Sequence, residues 1–336
     1  MGAGLIGRRR AASVREAGDA LCIVADVDRS RAETIAAETG ARATQSWEEA
    51  IAGDVDVVVI AVPNKFAAPV AIAAAAQGKH ILCEKPLGRN VQEAEAIVDA
   101  AERARVRLKT GFNHRHHPAI FDAHRMMVAG EIGQPFCLRC VYGHGGRHGY
   151  EHEWRGNADL AGGGELLDQG VHIADLARWF LGEFTEIQGL ITRWIWDVAP
   201  LEDNAFAWMR TATGQVATFH TSWTEWKNRF SFELFGTCGY LSVHGLGSSY
   251  GSERLVVGQR SPTSGPPQET VYEFPAVDGS WRAEWSEFRS AIFENRDPLG
   301  SGTDGREAMR LIDAIYRASR TGLIVHVDRD AERASR

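Results

Sequence analysis

Long hydrophobic runs are missing from this 336-residue chain. No stretch approaches the roughly 20 apolar residues that a membrane-spanning helix needs. The first residues also lack the charged-then-apolar pattern of a secretory signal, so the cytoplasm is the expected location. Cysteine is sparse: Cys22, Cys83, Cys137, Cys140 and Cys238 form an odd set without framework spacing, which argues against a disulfide scaffold and reads as reduced thiols. Positive charge is in short supply, 37 Lys and Arg against 44 Asp and Glu, and a net charge of -7 speaks against a general nucleic-acid binder. Lysine is the scarcer cation, found only at positions 65, 79, 85, 109 and 227, so a lysine inside a motif stands out. No internal repeat is visible.

What is present fits two domains, each long enough to bury its own core. The first third alternates short apolar runs with helical patterns. Leu21 to Ala25 ends at Asp26; Asp28 to Thr39 is helical with Gly40 past its end; Val55 to Val62 is closed by Pro63; Lys65 to Gln77 is alanine-rich; His80 to Cys83 precedes Glu84-Lys85-Pro86; Asn90 caps a helix to about Arg105; and Val106 to Phe112 is a further strand. Short apolar strands separated by helices predict a parallel sheet covered on both faces. After Asn113 the pattern changes. A helix over Ala119 to Ala129 leads into strand-like segments from Pro135 to Phe274, interrupted by one helix near Glu165 to Leu181. Helices near Trp281 to Glu294 and Gly302 to Ser319 and a strand at Leu323 to Val327 follow. The fold class expected is α/β: an N-terminal Rossmann domain over 1–112, then an α+β domain over 113–330 with an open, mostly antiparallel sheet. Gln259 to Gln268 reads as a surface loop, and the charged tail Asp328 to Arg336 is expected to fray.

Gly2-Ala3-Gly4-Leu5-Ile6-Gly7 matches the dinucleotide fingerprint. The first glycine allows a tight turn, the second lets pyrophosphate approach the backbone, and the third permits close helix–strand packing. Asp26 ends the next strand, where a carboxylate holds the adenosine ribose hydroxyls and repels a 2′-phosphate. This favours NAD, while Arg29 leaves NADP open. The fingerprint should follow a strand, yet here it begins at residue 2. The first, central strand is thus missing from this sequence, and a functional product is expected to carry several more apolar residues upstream.

Lys85 follows a short parallel strand, at the end where such sheets bind ligands. Its ammonium can donate to a substrate oxygen and favour a developing alkoxide. A surface Glu-Lys pair before proline is the plain alternative. Further on, Gly162-Gly163-Gly164 lets backbone approach a ligand closely, and the helix that follows places Asp168 and His172 four apart on one face. An imidazole exchanges a proton with an alcohol near neutral pH, and a carboxylate one turn away can orient it. Read alone, the pair is an ordinary helix-stabilising contact; the glycine lead-in and the lysine motif turn the balance. Cys137-x-x-Cys140 with His144 and His148 invites a zinc reading, but residues three apart on a strand face opposite sides, so no metal is assigned. Tyr150 and Trp154 are candidate surfaces for a sugar ring, with simple packing as an even alternative. Trp223, Glu225 and Trp226 are candidates for the same pocket, at most one strand face of them.

Taken in order, Gly2 to Gly7, Ala61-Val62-Pro63-Asn64, Glu84-Lys85-Pro86, Gly111-Phe112-Asn113 and Gly162 to His172 resemble the Gfo/Idh/MocA family, named for glucose-fructose oxidoreductase, inositol dehydrogenase and a rhizopine-catabolism dehydrogenase. The resemblance covers nearly the whole chain. It implies an NAD(P)-dependent dehydrogenase acting on CH–OH groups of a sugar, cyclitol or sugar derivative. Lys85, Asp168 and His172 would be the catalytic trio. Gly2, Gly4, Leu5, Ile6, Gly7, Asp26, Asn64, Glu84, Lys85 and Asn113 would contact the cofactor. Lys85, Asn113, His114, Trp154, Asp168 and His172 would surround the substrate. It also implies a homo-oligomer, dimer or tetramer, through the open sheet. Many relatives have a histidine just after the Pro-Asn pair, where this chain reads Lys65-Phe66. Two other readings remain: an enzyme whose tightly bound NAD assists epimerisation or glycoside cleavage, and a non-catalytic dinucleotide or sugar sensor.

Overall fold

The computed structural model describes residues 1–327, so the charged tail from 328 to 336 lies outside the described residues. The chain divides into two compact units. Unit one holds Met1–His116, Asp159–Gly162 and Gly279–Met309; unit two holds His117–Ala158, Gly163–Asp278 and the chain from Arg310. No described helix is long and apolar enough to cross a membrane.

Unit one contains strands β1 (Ile23–Ala25), β2 (Arg42–Thr44), β3 (Val57–Ile60), β4 (His80–Cys83) and β5 (Leu108–Thr110). All pair in parallel, β1 with β2, and β3 with β4 and β5. Helices alternate with them because the linking segments carry helical start and stop signals. Asp28 caps Arg29–Thr39 through Ser30 N, and Gly40 ends that helix at a φ of 74°. Asn90 caps Val91–Ala104 through Glu93 N. The strand β2 and the short helix Trp47–Ile51 are additions to the expected pattern.

The parallel strands form two separate sheets, β1-β2 and β3-β4-β5. Where a central strand is expected, Met1 bonds along β3 and Gly2 bonds to β1. Met1 N donates to Val59 O at 2.7 Å, Ala61 N donates to Met1 O at 2.8 Å, and Gly2 N donates to Ala25 O at 2.9 Å.

Among the described residues unit two is built on nine strands: β6 (Pro135–Gly143), β7 (Phe184–Thr192), β8 (Asn204–Thr211), β9 (Val216–Ser222), β10 (Arg229–Gly236), β11 (Gly239–His244), β12 (Arg254–Gln259), β13 (Gln268–Glu273) and β14 (Val325–His326). Their order is β13-β12-β11-β10-β6-β9-β8-β7-β14. Only β6 and β9 pair in parallel; the other neighbours are antiparallel. Period-two alternation sets the two faces. Leu138 and Cys140 on β6, Ala207 and Met209 on β8, Phe230, Phe232 and Leu234 on β10, and Leu241 and Val243 on β11 are buried. Helices Pro118–Val128 and Val171–Leu181 pack against this sheet. The intervening residues Arg139, Val141, Phe206, Trp208, Glu233 and Phe235 are half-buried or exposed, so the other face is open. The loop between β12 and β13 coincides with the expected one.

Candidate active site

The glycine loop is shaped by contacts that no side chain would allow. A Cβ on Gly2, whose φ is 81°, would lie 2.2 Å from Ala61 O, and one on Gly7 would lie 1.8 Å from Gly2 O. At Gly4, by contrast, nothing lies within 4 Å of the Cβ position. That is space for a phosphate at the start of the twelve-residue helix Leu5–Glu16, whose free backbone N–H groups and dipole favour an anion. Leu5 is exposed and Ile6 half-buried. Asp26 follows β1 directly. Its Oδ2 accepts from Ala3 N at 2.6 Å and its Oδ1 from Asp28 N at 2.8 Å, which ties this carboxylate to the glycine turn. Arg29 is paired with Glu33 at 2.7 Å on the surface. The residues present fit a dinucleotide.

At the end of β4, Glu84 N donates to Ile60 O at 2.9 Å, and the Lys85-Pro86 peptide is cis. Behind this turn lies a buried ionic cluster that the sequence reading did not contain. Arg10 Nε donates to Glu84 Oε1 at 2.6 Å and Arg10 Nη1 to Glu284 Oε2 at 2.5 Å. Lys109, fully buried on β5, lies 3.2 Å from Glu287 and 3.9 Å from Glu284, and also reaches Leu299 O. Burial pushes the Glu84 carboxyl up against the pull of Arg10, and pushes the Lys109 ammonium down. The Cys83 thiol is pushed up to about 12, first by burial and then by Glu84, so it is no thiolate nucleophile at neutral pH.

Asn64 and Asn113 are both buried in unit one. Asn64 Nδ2 donates to Ala161 O at 2.8 Å, and Lys65 pairs with Asp159 at 2.5 Å. The segment just before the glycine triplet is therefore fastened by Asn64 and by Lys65, which follows the Pro-Asn pair. Asn113 Nδ2 donates to Ser280 Oγ at 3.0 Å, and His114 is buried beside it in the sequence.

In unit two the Asp168 segment is not an ordinary α-helix. Leu166–Gly170 is a π-helical turn, and the α-helix Val171–Leu181 takes over at the next residue. Wide turns of this kind often mark functional sites. Glu202 fixes its entrance: Oε1 accepts from Gly164 N and Leu166 N, each at 3.1 Å, and from the Tyr316 hydroxyl at 2.7 Å. A Cβ on Gly164 would lie 2.1 Å from Glu202 O, which explains the last glycine of the triplet. Asp168 Oδ2 accepts from Arg155 Nε at 3.1 Å, and that guanidinium stacks 4.5 Å from the Trp154 ring centroid. His172 is buried, with the Tyr142 ring edge-on at 6.4 Å. Arg155, Glu202 and Tyr316 are partners of this segment that the sequence reading did not contain.

The other aromatic candidates separate. Tyr150 and Trp223 are buried and pack edge to face at 4.8 Å, the interior alternative, whereas Trp226 is 75% exposed. Trp154 is half-buried beside Arg155. His117 is engaged with Glu253 rather than grouped with His114 and His116.

A glycine cradle on a parallel sheet, a lysine turn at a strand end, and a carboxylate and imidazole joined by a π-helical turn define a dinucleotide-dependent oxidoreductase. Residues 1–112 match the oxidoreductase family with an NAD-binding Rossmann fold, and residues 120–242 match the GFO/IDH/MocA C-terminal domain. The chain belongs to the Gfo/Idh/MocA oxidoreductase family. It is 28% identical over 316 residues to levoglucosan dehydrogenase of Pseudarthrobacter phenanthrenivorans, covering 82% of this chain and 81% of that one. It is 30% identical over 250 residues to inositol 2-dehydrogenase 4 of Saccharopolyspora erythraea, covering 71% and 67%. Among solved structures, levoglucosan dehydrogenase in complex with NADH and levoglucosan superposes with a TM-score of 0.90 at 25% identity over 97% of each chain.

Proposed function

We propose that this enzyme oxidises a hydroxyl-bearing carbon of a sugar, cyclitol or sugar derivative, or reduces the matching carbonyl. The observation that carries the reading is the π-helical turn holding Asp168 directly ahead of the helix that bears His172. The names of the relatives, dehydrogenases of levoglucosan and inositol, support the substrate class. Residues 1–112 carry the dinucleotide and residues 113–330 the substrate. Gly2, Gly4, Leu5, Ile6 and Gly7 cradle the pyrophosphate. Asp26 holds the ribose, and Asn64, Glu84 and Asn113 serve the nicotinamide side. When bound, NAD supplies the hydride acceptor. His172 takes the hydroxyl proton, Asp168 orients it, and the Lys85 ammonium binds the reacting oxygen as it gains charge. Asn113, His114 and Trp154 bound the substrate.

A homo-oligomer built through the open sheet face fits the half-exposed Phe206, Trp208 and Phe235 and the exposed Leu190 and Trp194. Five unpaired cysteines support a reducing, cytoplasmic setting.

The test is NAD and NADP reduction followed by absorbance across a panel of polyols and sugars, with Lys85→Ala and His172→Ala beside the parent. Turnover lost in both variants, with NADH binding kept in His172→Ala, supports the dehydrogenase. Cofactor that survives purification without net turnover moves the reading to bound-NAD chemistry. Failure to bind any dinucleotide ends it.

A further inference from the structure

Unit two holds a cavity of about 460 Å³ lined by none of the residues assigned above to the proposed reaction. It opens at the strand ends where β10 begins, β11 ends and β12 begins. Its size is that of a small-molecule site.

Its lining is cationic in an unusual way. Arg229 opens β10 and Arg254 opens β12. His244 stands opposite Ser231 on β10 and opposite Arg254 on β12. Because cross-strand partners share a face and alternate residues repeat it, Arg229, His244 and Arg254 face the same side at the same end. Neither guanidinium makes a hydrogen bond or an ion pair among the described residues. Glu273 is directly opposite Arg254 in the register, yet the two form no ion pair. The other acid in the lining, Glu253, is committed to His117 and to Ala119 N. Like charges set together on a sheet repel, and Glu273 opposite Arg254 offsets that repulsion without closing an ion pair. Burial, then Arg254 and Arg229, hold the His244 imidazole below the ordinary histidine value against the pull of Glu233.

We propose that this cavity binds the anionic group, carboxylate or phosphate, of a small metabolite, with Arg229 and Arg254 as the paired cationic contacts. Guanidinium forks match both anions in geometry. Tyr250 in the lining hydrogen-bonds Tyr142 and Gln169, and Gln169 belongs to the π-helical turn that holds Asp168. Tyr250, on the covered face with Tyr142, thereby links the cavity lining to the turn that sets the candidate catalytic carboxylate, while the two arginines stand on the open face. The anion is carried either by the substrate itself or by a separate effector.

The experiment is calorimetric titration at low ionic strength with inorganic phosphate and with D-glucuronate. The protein is saturated with NADH so that the glycine loop is filled. The parent is compared with Arg229→Gln/Arg254→Gln. Saturable binding of either anion by the parent, weakened about tenfold or more in the double variant at unchanged melting temperature and NADH affinity, supports the site. Oxidation of D-glucuronate with a raised KM in the double variant assigns the anion to the substrate; binding that leaves the KM of a neutral polyol competitor unchanged assigns it to an effector. No saturable anion binding by the parent, or equal binding by both proteins, overturns the proposal.

Discussion

Arg10 and Glu84 are joined by a 2.6 Å hydrogen bond that fastens the helix after the glycine loop to the turn bearing Lys85. The same guanidinium holds Glu284, which is fully buried. One cation thus neutralises two carboxylates drawn from distant parts of the chain. Removing it strips Glu84 of its bonded cation and leaves Glu284 with Lys109 at 3.9 Å, the costly way to break such a cluster. Arg10→Ala is expected to lose about 3–5 kcal/mol of stability, read by urea unfolding. Arg10→Lys keeps the charge but not the two-directional fork and should fall between. A loss near zero for Arg10→Ala would mean the cluster is not what holds the turn.

Two of the fingerprint glycines, Gly4 and Gly7, are expected to fail in different ways. A methyl on Gly7 meets backbone 1.8 Å away, whereas a methyl on Gly4 meets nothing. Gly7→Ala must displace the loop and should cost about 1–3 kcal/mol or more, as overpacking does. Gly4→Ala should melt like the parent yet bind NADH more weakly, because its methyl takes the space that a phosphate needs. Thermal melting beside NADH titration separates the two. Equal NADH affinity in Gly4→Ala and the parent would place the pyrophosphate elsewhere.

The sequence made the strands and helices of unit one legible because each is bounded by a local signal: Asp28 and Asn90 as caps, Gly40 as a stop, Pro63 after an apolar run. The alternation of β6, β8 and β10 likewise announced one buried face and one open face. Long-range partners were not legible. Arg10 stands in the run Arg8-Arg9-Arg10, which looks like a solvated cationic patch; only its helical phase with Val14, four residues on, marks it as buried. Glu202 and Tyr316 lie more than a hundred residues apart, and nothing local in either pairs them with Gly164. The π-helical turn was hidden too, since Asp168 and His172 have α-helical spacing. What widens the turn is its tertiary setting, with Gly164 and Leu166 bonded to Glu202.

Glu202 carries a pH signature. Burial raises its carboxyl above the ordinary value, although Tyr316 and two backbone N–H groups favour the charged form. The folded chain therefore binds this proton more tightly than the unfolded chain. That contribution to stability is present at low pH and is lost as pH rises from the unfolded carboxyl value through the folded one. Glu202→Gln keeps an acceptor for all three donors and should flatten this part of the stability–pH curve. Glu202→Ala strands them, at about 1–3 kcal/mol for each buried donor left without an acceptor. Chemical denaturation from pH 4 to 8 gives the comparison, and parallel curves for parent and Gln variant would show that the carboxyl does not titrate in that window.

Arg155 is expected to act on turnover rather than on folding. Its side chain is partly exposed and its bond to Asp168 is a single contact at 3.1 Å, so its removal should cost little stability. Asp168 then loses the cation that holds its carboxylate in place, and a small displacement at a reacting centre is expensive: kcat should fall by up to roughly a hundredfold. Because Arg155 acts through Asp168, the loss should appear chiefly in kcat, with the NADH dissociation constant unchanged, and Arg155→Lys should recover part of it by restoring the charge. A uniform rise in KM at constant kcat would instead make Arg155 a direct substrate contact, with Trp154 beneath it as the stacking surface.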